Sequence, residues 1–385
     1  MNAGDVKVLT GTSCRMPTLL REEKPKPTWQ RQRQASSEGP AKLTHQRFSL
    51  PHTIKDAGLH TGPATTVFRR EQLMPEIQHV KFTNRDMYWE IAADIHFPPG
   101  FDEARQYPVI VVAHPIGSCK EQTSGEIYSA QLAAQGFVTV AFDASFQGDS
   151  GGEPRSIEDP TLRVEDYRHV VDYLVTLPYV DADRIGLVGM CGGGGYAINA
   201  AMTERRYKAV ATITGANYGR VLREAEGSAE AVIRKLEQIG QQRTAEARGA
   251  DWQVDGGLPE SVQQPRDMGI SDIDILGATD YYKTPRGAKP HGVNKTLRSH
   301  MGVAYGWDAF HMAEELLTQP LLVIVGAIPG GFGAYRDGHE IVRRARSAKK
   351  ELVVIEDWTH YDLYDHPEPV AQAMAKLVPF FQENL

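Results

Sequence analysis

The sequence predicts an α/β protein: a mostly parallel sheet wound by helices on both faces, with a long segment inserted late in the chain. Three observations predict it. From about residue 78, short β-branched runs alternate with stretches of helical period. One run, Ile185 to Gly195, passes from an apolar strand through a glycine-rich turn into a helix. The alternation then lapses between about 216 and 306 and resumes near residue 321.

Strands are expected at His79–Thr83 and Tyr88–His96. In the second, Trp89, Ile91, Ala93 and Ile95 fall on one face and Glu90, Asp94 and His96 on the other. Pro108–Ala113 (PVIVVA) reads as a strand buried on both faces, followed by a helix over Ser124–Gln135. Next come strand Val138–Phe142, helix Leu162–Leu177, strand Ile185–Val188, helix Gly194–Met202 and strand Ala209–Thr214. In the insertion a helix is expected at Ala229–Ile239, with Val232, Leu236 and Ile239 at helical spacing. Asp251 to His300 is polar, punctuated by Gly and Pro, and poorly periodic, so it reads as an irregular cap or lid. Strand Leu321–Val325, helix Gly338–Ala348, strand Leu352–Ile355 and helix Pro369–Phe381 complete the order.

Composition narrows the function. Of 385 residues, 41 % are hydrophobic and 24 % charged, so a large core is within reach. The formal net charge of −7 repels a phosphate backbone and argues against nucleic-acid binding. No apolar run approaches a membrane span, and the start lacks the apolar stretch of a secretory signal. Cys14, Cys119 and Cys191 are too few for a disulfide framework and show no metal-ligand spacing. A cytoplasmic location, with no metal and no cofactor, is the expectation. Residues 1–55 differ from the rest, with ten Lys/Arg against four Asp/Glu and five prolines. That segment reads as a disordered arm, with an organellar transit peptide as the alternative. Residues 56–385 read as one domain carrying the insertion.

The chemistry concentrates at Gly189-Met190-Cys191-Gly192-Gly193. This G-x-C-x-G matches a nucleophile elbow with Cys in place of Ser. The elbow strains its central residue, and Gly189 and Gly193 remove bulk on either side. The helix start beside Cys191 offers free N–H groups and a positive dipole end, which favour thiolate. Two blander readings compete: a small hydrophobe in a tight turn, or a dinucleotide loop. The loop would need Gly where Cys191 stands. His360, after the last strand and before the last helix, stands where a base belongs in that chain order; His311, His339 and His366 are weaker rivals. Asp337 is the first carboxylate after strand Leu321–Val325 and is the candidate orienting acid, with a helix N-cap as its other reading. The Gly192 amide and an amide of the His114-Pro115-Ile116 loop would form the oxyanion hole. Pro115 has no N–H, so Ile116 is the second donor. Trp252, Tyr281, Tyr282, Tyr305 and Trp307 either line an acyl pocket or pack the insertion onto the body. Asp143, after strand Val138–Phe142, reads as a turn residue bonding backbone.

Five motifs carry a family resemblance: HPIGSCKEQ (114–122), FDASFQGDSGGEPR (142–155), PYVDADRIGLVGMCGGGGYA (178–197), FGAYRDG (332–338) and THYDLYD (359–365). They resemble the dienelactone-hydrolase-related branch of the α/β-hydrolases, and within it the fungal polyketide transferases of the fumagillin type and their bacterial relatives. The resemblance covers most of residues 78 to 385. It implies the α/β-hydrolase fold, an esterase-like, thioesterase or acyl-transferring activity, and Cys191 with His360 as catalytic pair. The expected partners are a small-molecule acyl substrate, an acyl carrier or polyketide synthase that delivers it, and a second copy of the chain in a homodimer. The insertion, larger than in dienelactone hydrolases proper, points to a bulky acyl group. A catalytically inactive binding protein, and a thiol redox sensor pairing Cys119 with Cys191, are the rival readings.

Overall fold

The computed structural model describes residues 76–83 and 86–385. The arm at 1–55, and Cys14 with it, lie outside the described residues. The first half of the chain supplies β1 (Ile77–Phe82), β2 (Ile91–His96), β3 (Tyr107–Ala113), a π-helical turn (Thr123–Ser129) leading into α1 (Ala130–Ala133), and β4 (Val138–Phe142). Then follow α2 (Pro160–Leu174), β5 (Val180–Met190), α3 (Gly192–Thr203) and β6 (Tyr207–Ile213).

The segment between β6 and β9 holds α4 (Tyr218–Ala225), α5 (Ala229–Ala247), β7 (Val254–Gly256), α6 (Gln264–Asp267), α7 (Ile273–Lys283), β8 (Lys295–Leu297), α8 (Gly302–Gly306) and α9 (Ala313–Leu316). The chain closes with β9 (Leu321–Gly326), α10 (Ala334–Arg344), β10 (Lys350–Ile355), α11 (Asp362–Asp365) and α12 (Pro367–Asn384). Eight strands form one sheet in the order β1-β2-β4-β3-β5-β6-β9-β10. β1 pairs antiparallel with β2 and β2 with β4; the other pairings are parallel. β7 and β8 make a separate antiparallel pair within the insertion.

The buried runs follow from this layout. In β3, Val109, Val111 and Ala113 pack with α2 (Val164, Tyr167, Val170, Val171) and α3 (Tyr196, Ala197, Ala200) on one face. Ile110 and Val112 pack with Leu132 and with Met374, Leu377 and Phe381 of α12 on the other. A strand covered on both faces needs no polar residue at alternate positions, which is why PVIVVA is legible as a strand. α10 covers β9 through Ile341 and Ala345. Because the central strands run parallel, the ends of β3, β5, β6, β9 and β10 open on one edge, where such sheets bind ligands.

Several boundaries differ from expectation. The second strand begins at Ile91 rather than Tyr88, which is almost fully exposed. α10 starts at Ala334 with Gly333 as N-cap, so Asp337 lies inside the helix and does not cap it. α7 falls within the stretch expected to be irregular. Asp274, Ala278, Thr279, Tyr281 and Tyr282 are all buried on it, so it lacks the one-sided apolar stripe that marks a surface helix. No helix of the described residues is long and apolar enough to cross a membrane.

Phe381 is fully buried, its ring lying against Gly186 of β5 and 6.4 Å from that of Phe137. Phe381→Ala should lower stability by about 3–5 kcal/mol. The check is urea unfolding, with a lower midpoint and an unchanged slope expected.

Candidate active site

Cys191 follows the last residue of β5 and stands as N-cap of α3 with φ 50° and ψ −126°, a strained conformation for a residue with a Cβ. Its amide donates to Ile213 O at 3.0 Å, and its carbonyl accepts from the Gly194 and Ala216 amides at 2.9 Å each. A Cβ at Gly189 would overlap the Gly193 carbonyl, and one at Gly193 the His114 carbonyl. The expected need for small residues on both sides thus has a contact behind it.

The loop after β3 is braced from below. His114 is buried, and burial together with the Arg163 guanidinium holds its imidazole neutral. Its Nδ1 lies 2.7 Å from Pro115 O, while the Ala144 amide donates to its Nε2 at 3.1 Å. These contacts fix the tautomer with hydrogen on Nδ1. Arg163 Nη2 donates to His114 O at 3.0 Å. Arg163 Nε lies 3.5 Å from Glu158, which accepts from Tyr196 Oη at 2.8 Å. His114 therefore shapes the loop. Ile116 packs over Gly192, and among the described residues its amide donates to no protein acceptor. The Gly192 amide opens α3 and has no intrahelical acceptor. The Ile116 side chain thus touches Gly192, and among the described residues neither expected oxyanion amide is bound to a protein acceptor. Asp143 bonds backbone as expected, accepting from the Lys120 and Asp149 amides at 2.8 Å each.

His360 comes from the loop after β10 and is 4 % exposed. Burial disfavours its charged form, yet the neighbouring Cys191 sulfur, both as charge and as hydrogen-bond partner, and then Asp274 raise its pKa overall. The Tyr364 hydroxyl sits 3.4 Å from His360 Nε2, and Tyr364 shares one buried cluster with Cys191 and Tyr361. Tyr361 and Tyr364 stay protonated, because burial and the Cys191 charge push their phenols well up.

Asp337 is fully buried but committed elsewhere. It accepts from the Asn217 amide at 2.8 Å and from Arg220 Nε and Nη2 at 2.8 and 2.6 Å. The structure does not join it to His360. The carboxylate whose charge bears on His360 is Asp274 of α7, which the sequence reading missed. Its signal was slight: an Asp in the first turn of a helix without amphipathic period.

A cavity of about 340 Å³ opens on Cys191, Gly192 and Ile116. Its walls are largely apolar and come mostly from the insertion: Val221, Leu222, Ala225, Ile239, Leu258 and Met301, with Tyr218, Tyr282 and Tyr305. That size is at the lower end of small-molecule sites. Of the five aromatics singled out in the insertion, Tyr282 and Tyr305 line it. Trp252 is 58 % exposed, Tyr281 packs behind on Tyr364, and Trp307 packs on Tyr196.

Comparison with known proteins bears on the family. The chain is 40 % identical over 311 residues to YcjY of Escherichia coli K12, covering 80 % of this chain and 98 % of that protein. The solved structure of PA2218 from Pseudomonas aeruginosa superposes with a TM-score of 0.72 at 32 % identity, over 81 % of this chain and 95 % of that one. The chain has the α/β-hydrolase fold and belongs to the family of these two bacterial proteins. Residues 89–253 match the sequence model of the X-Pro dipeptidyl-peptidase (S15) family. A protein named thiohydrolase from Eupenicillium brefeldianum is 25 % identical over 225 residues, 57 % of this chain and 68 % of the fungal protein.

Cys119 is fully buried, and burial with the neighbouring carboxylate of Glu121 pushes its thiol up, so it stays protonated. In native protein, iodoacetamide should modify Cys191 and leave Cys119 intact until the chain is unfolded. Peptide mapping by mass spectrometry reads this directly, and labelling of Cys119 at the rate of Cys191 would contradict the burial.

Proposed function

We propose that this α/β-hydrolase cleaves or transfers acyl groups from esters and thioesters through an acyl-thioenzyme on Cys191. The observation that carries this reading is the adjacency of Cys191, at a strained elbow, to His360 and to two uncommitted backbone donors. In the mechanism, Cys191 gives its proton to His360 Nε2 and the sulfur attacks the acyl carbonyl. The oxyanion forms against the Gly192 and Ile116 amides. The carbon–oxygen or carbon–sulfur bond then breaks, and His360 returns the proton to the departing alcohol or thiol. His360 next takes a proton from water or from an acceptor alcohol, which attacks the thioester and frees Cys191.

The cavity supports an apolar acyl group larger than acetyl. A disulfide sensor is disfavoured because Cys119 is a buried, protonated thiol. The name of the fungal thiohydrolase agrees with thioester cleavage. The same chemistry with an alcohol acceptor would be acyl transfer from a carrier, with residues 216–306 acting as the cap of the domain.

The test is turnover of a panel of acyl thioesters and esters from two to sixteen carbons by wild type, Cys191→Ala and His360→Ala. Each variant should lose roughly a thousandfold or more in kcat while staying folded. Cys191→Ala keeping wild-type turnover on any substrate of the panel would end this reading. Separately, Ala225→Phe should move the acyl-length optimum to shorter chains by filling the cavity; an unchanged optimum would place the acyl group elsewhere.

A further inference from the structure

We infer that Asp274, carried by α7 of the insertion, is the acid that orients His360, in the place that a carboxylate of the loop after β9 would otherwise hold. This rests on His360 being the base of the Cys191 reaction. Four observations carry it.

The first is a pair of orphans. His360 Nδ1 and Asp274 Oδ1 are both buried, and among the described residues neither has a hydrogen-bond partner. A buried imidazole N–H and a buried carboxylate oxygen are complementary, and each is costly when left alone. Both residues line one small cavity of about 10 Å³, together with Thr214 and Gly326. The second observation is that the carboxylate is held. Asp274 Oδ2 accepts from the Phe332 amide at 2.8 Å. Two residues earlier, Asp272 caps α7 and accepts from the Gly331 amide at 2.8 Å. The start of α7 is thus pinned to the loop after β9 at two points.

The third observation lies in that loop. It has no carboxylate before Asp337, and a Cβ at Gly330 would overlap the Asp274 carboxyl group. The loop is glycine where the incoming acid needs room. The fourth is that the competing acids are engaged. Asp337 is held by Arg220 and Asn217. Asp362 accepts from the Thr359 amide and hydroxyl at 2.9 and 2.6 Å.

The chemistry follows. A carboxylate at Nδ1 keeps hydrogen on that nitrogen and leaves Nε2 free to receive the Cys191 proton. The Nδ1 proton stays on the ring, and Asp274 stabilises the imidazolium without taking it. The titratable groups facing His360 are Cys191, Tyr361, Tyr364 and Asp274, with Tyr335 across the small cavity; burial holds the Tyr361 and Tyr364 phenols neutral. Asp274 is thus a positioning residue. It shares its helix with Tyr282, which lines the acyl cavity, so one element of the insertion shapes both the base and the pocket.

The test compares Asp274→Asn, Asp274→Glu and Asp337→Asn by three readouts: thermal unfolding, the His360 titration followed by NMR in the absence of substrate, and kcat with KM on the best substrate of the panel. Asp274→Asn should fold, and its His360 should titrate at lower pH than in wild type, because a charge favouring the imidazolium is gone. Its kcat should fall roughly a hundredfold with KM changed less than about threefold, and Asp274→Glu should recover part of it. Asp337→Asn should unfold earlier yet keep the wild-type His360 titration. A wild-type titration in Asp274→Asn, or a shifted one in Asp337→Asn, overturns the inference. Because the titration needs no turnover, it decides the matter even if Cys191 proves not to be the nucleophile; that failure would appear instead as full activity in Cys191→Ala.

Discussion

The site depends on one strained residue. Cys191 holds a positive φ at the junction of β5 and α3, a conformation that costs on the order of 1–3 kcal/mol for a residue with a side chain. It persists because its amide and carbonyl are taken by Ile213, Gly194 and Ala216. Those partners belong to β6, α3 and the chain just beyond β6, so the sheet itself enforces the elbow. The strain lifts the sulfur out of the β5 ladder and leaves the first amide of α3 beside it.

From that constraint the neighbouring choices follow. The helix approaches the His114 loop so closely that Gly193 leaves no room for a side chain. The loop is fixed from behind by a buried chain of polar groups, His114–Arg163–Glu158–Tyr196. A charged pair so deep is an expensive device, and it is worth its desolvation where a backbone amide must be held still. His360 arrives from the loop after β10 and is enclosed by Tyr361, Tyr364 and Phe332. Burial alone would strip its charge; the sulfur and Asp274 outweigh that and keep it protonatable beside Cys191.

How much of this the sequence revealed varies with the physics. β3, β5 and β9 are buried on both faces, so their apolar runs declared them. The elbow was legible because strain demands small residues at fixed offsets around Cys191. The place of His360 near Cys191 was legible from its position in the chain order. The carboxylate near His360 was not. Asp337 stands near the expected loop, but the glycine-rich run before it concealed the start of α10, and its partner Arg220 lies far away in sequence. Asp274 sits on a helix buried on several sides, where amphipathic periodicity vanishes, and only the fold brings it to His360. The pocket aromatics divided for a similar reason, since burial of Tyr281 and exposure of Trp252 depend on packing that composition does not encode.

The most direct measurement is intact-protein mass spectrometry of wild type, quenched in acid within seconds of mixing with a medium-chain acyl thioester, followed by peptide mapping. The account predicts one added acyl mass per chain, located on Cys191, absent in Cys191→Ala and lost when water or an alcohol is given time to react. Acyl mass on another residue, or thioester turnover that persists in Cys191→Ala, would contradict it.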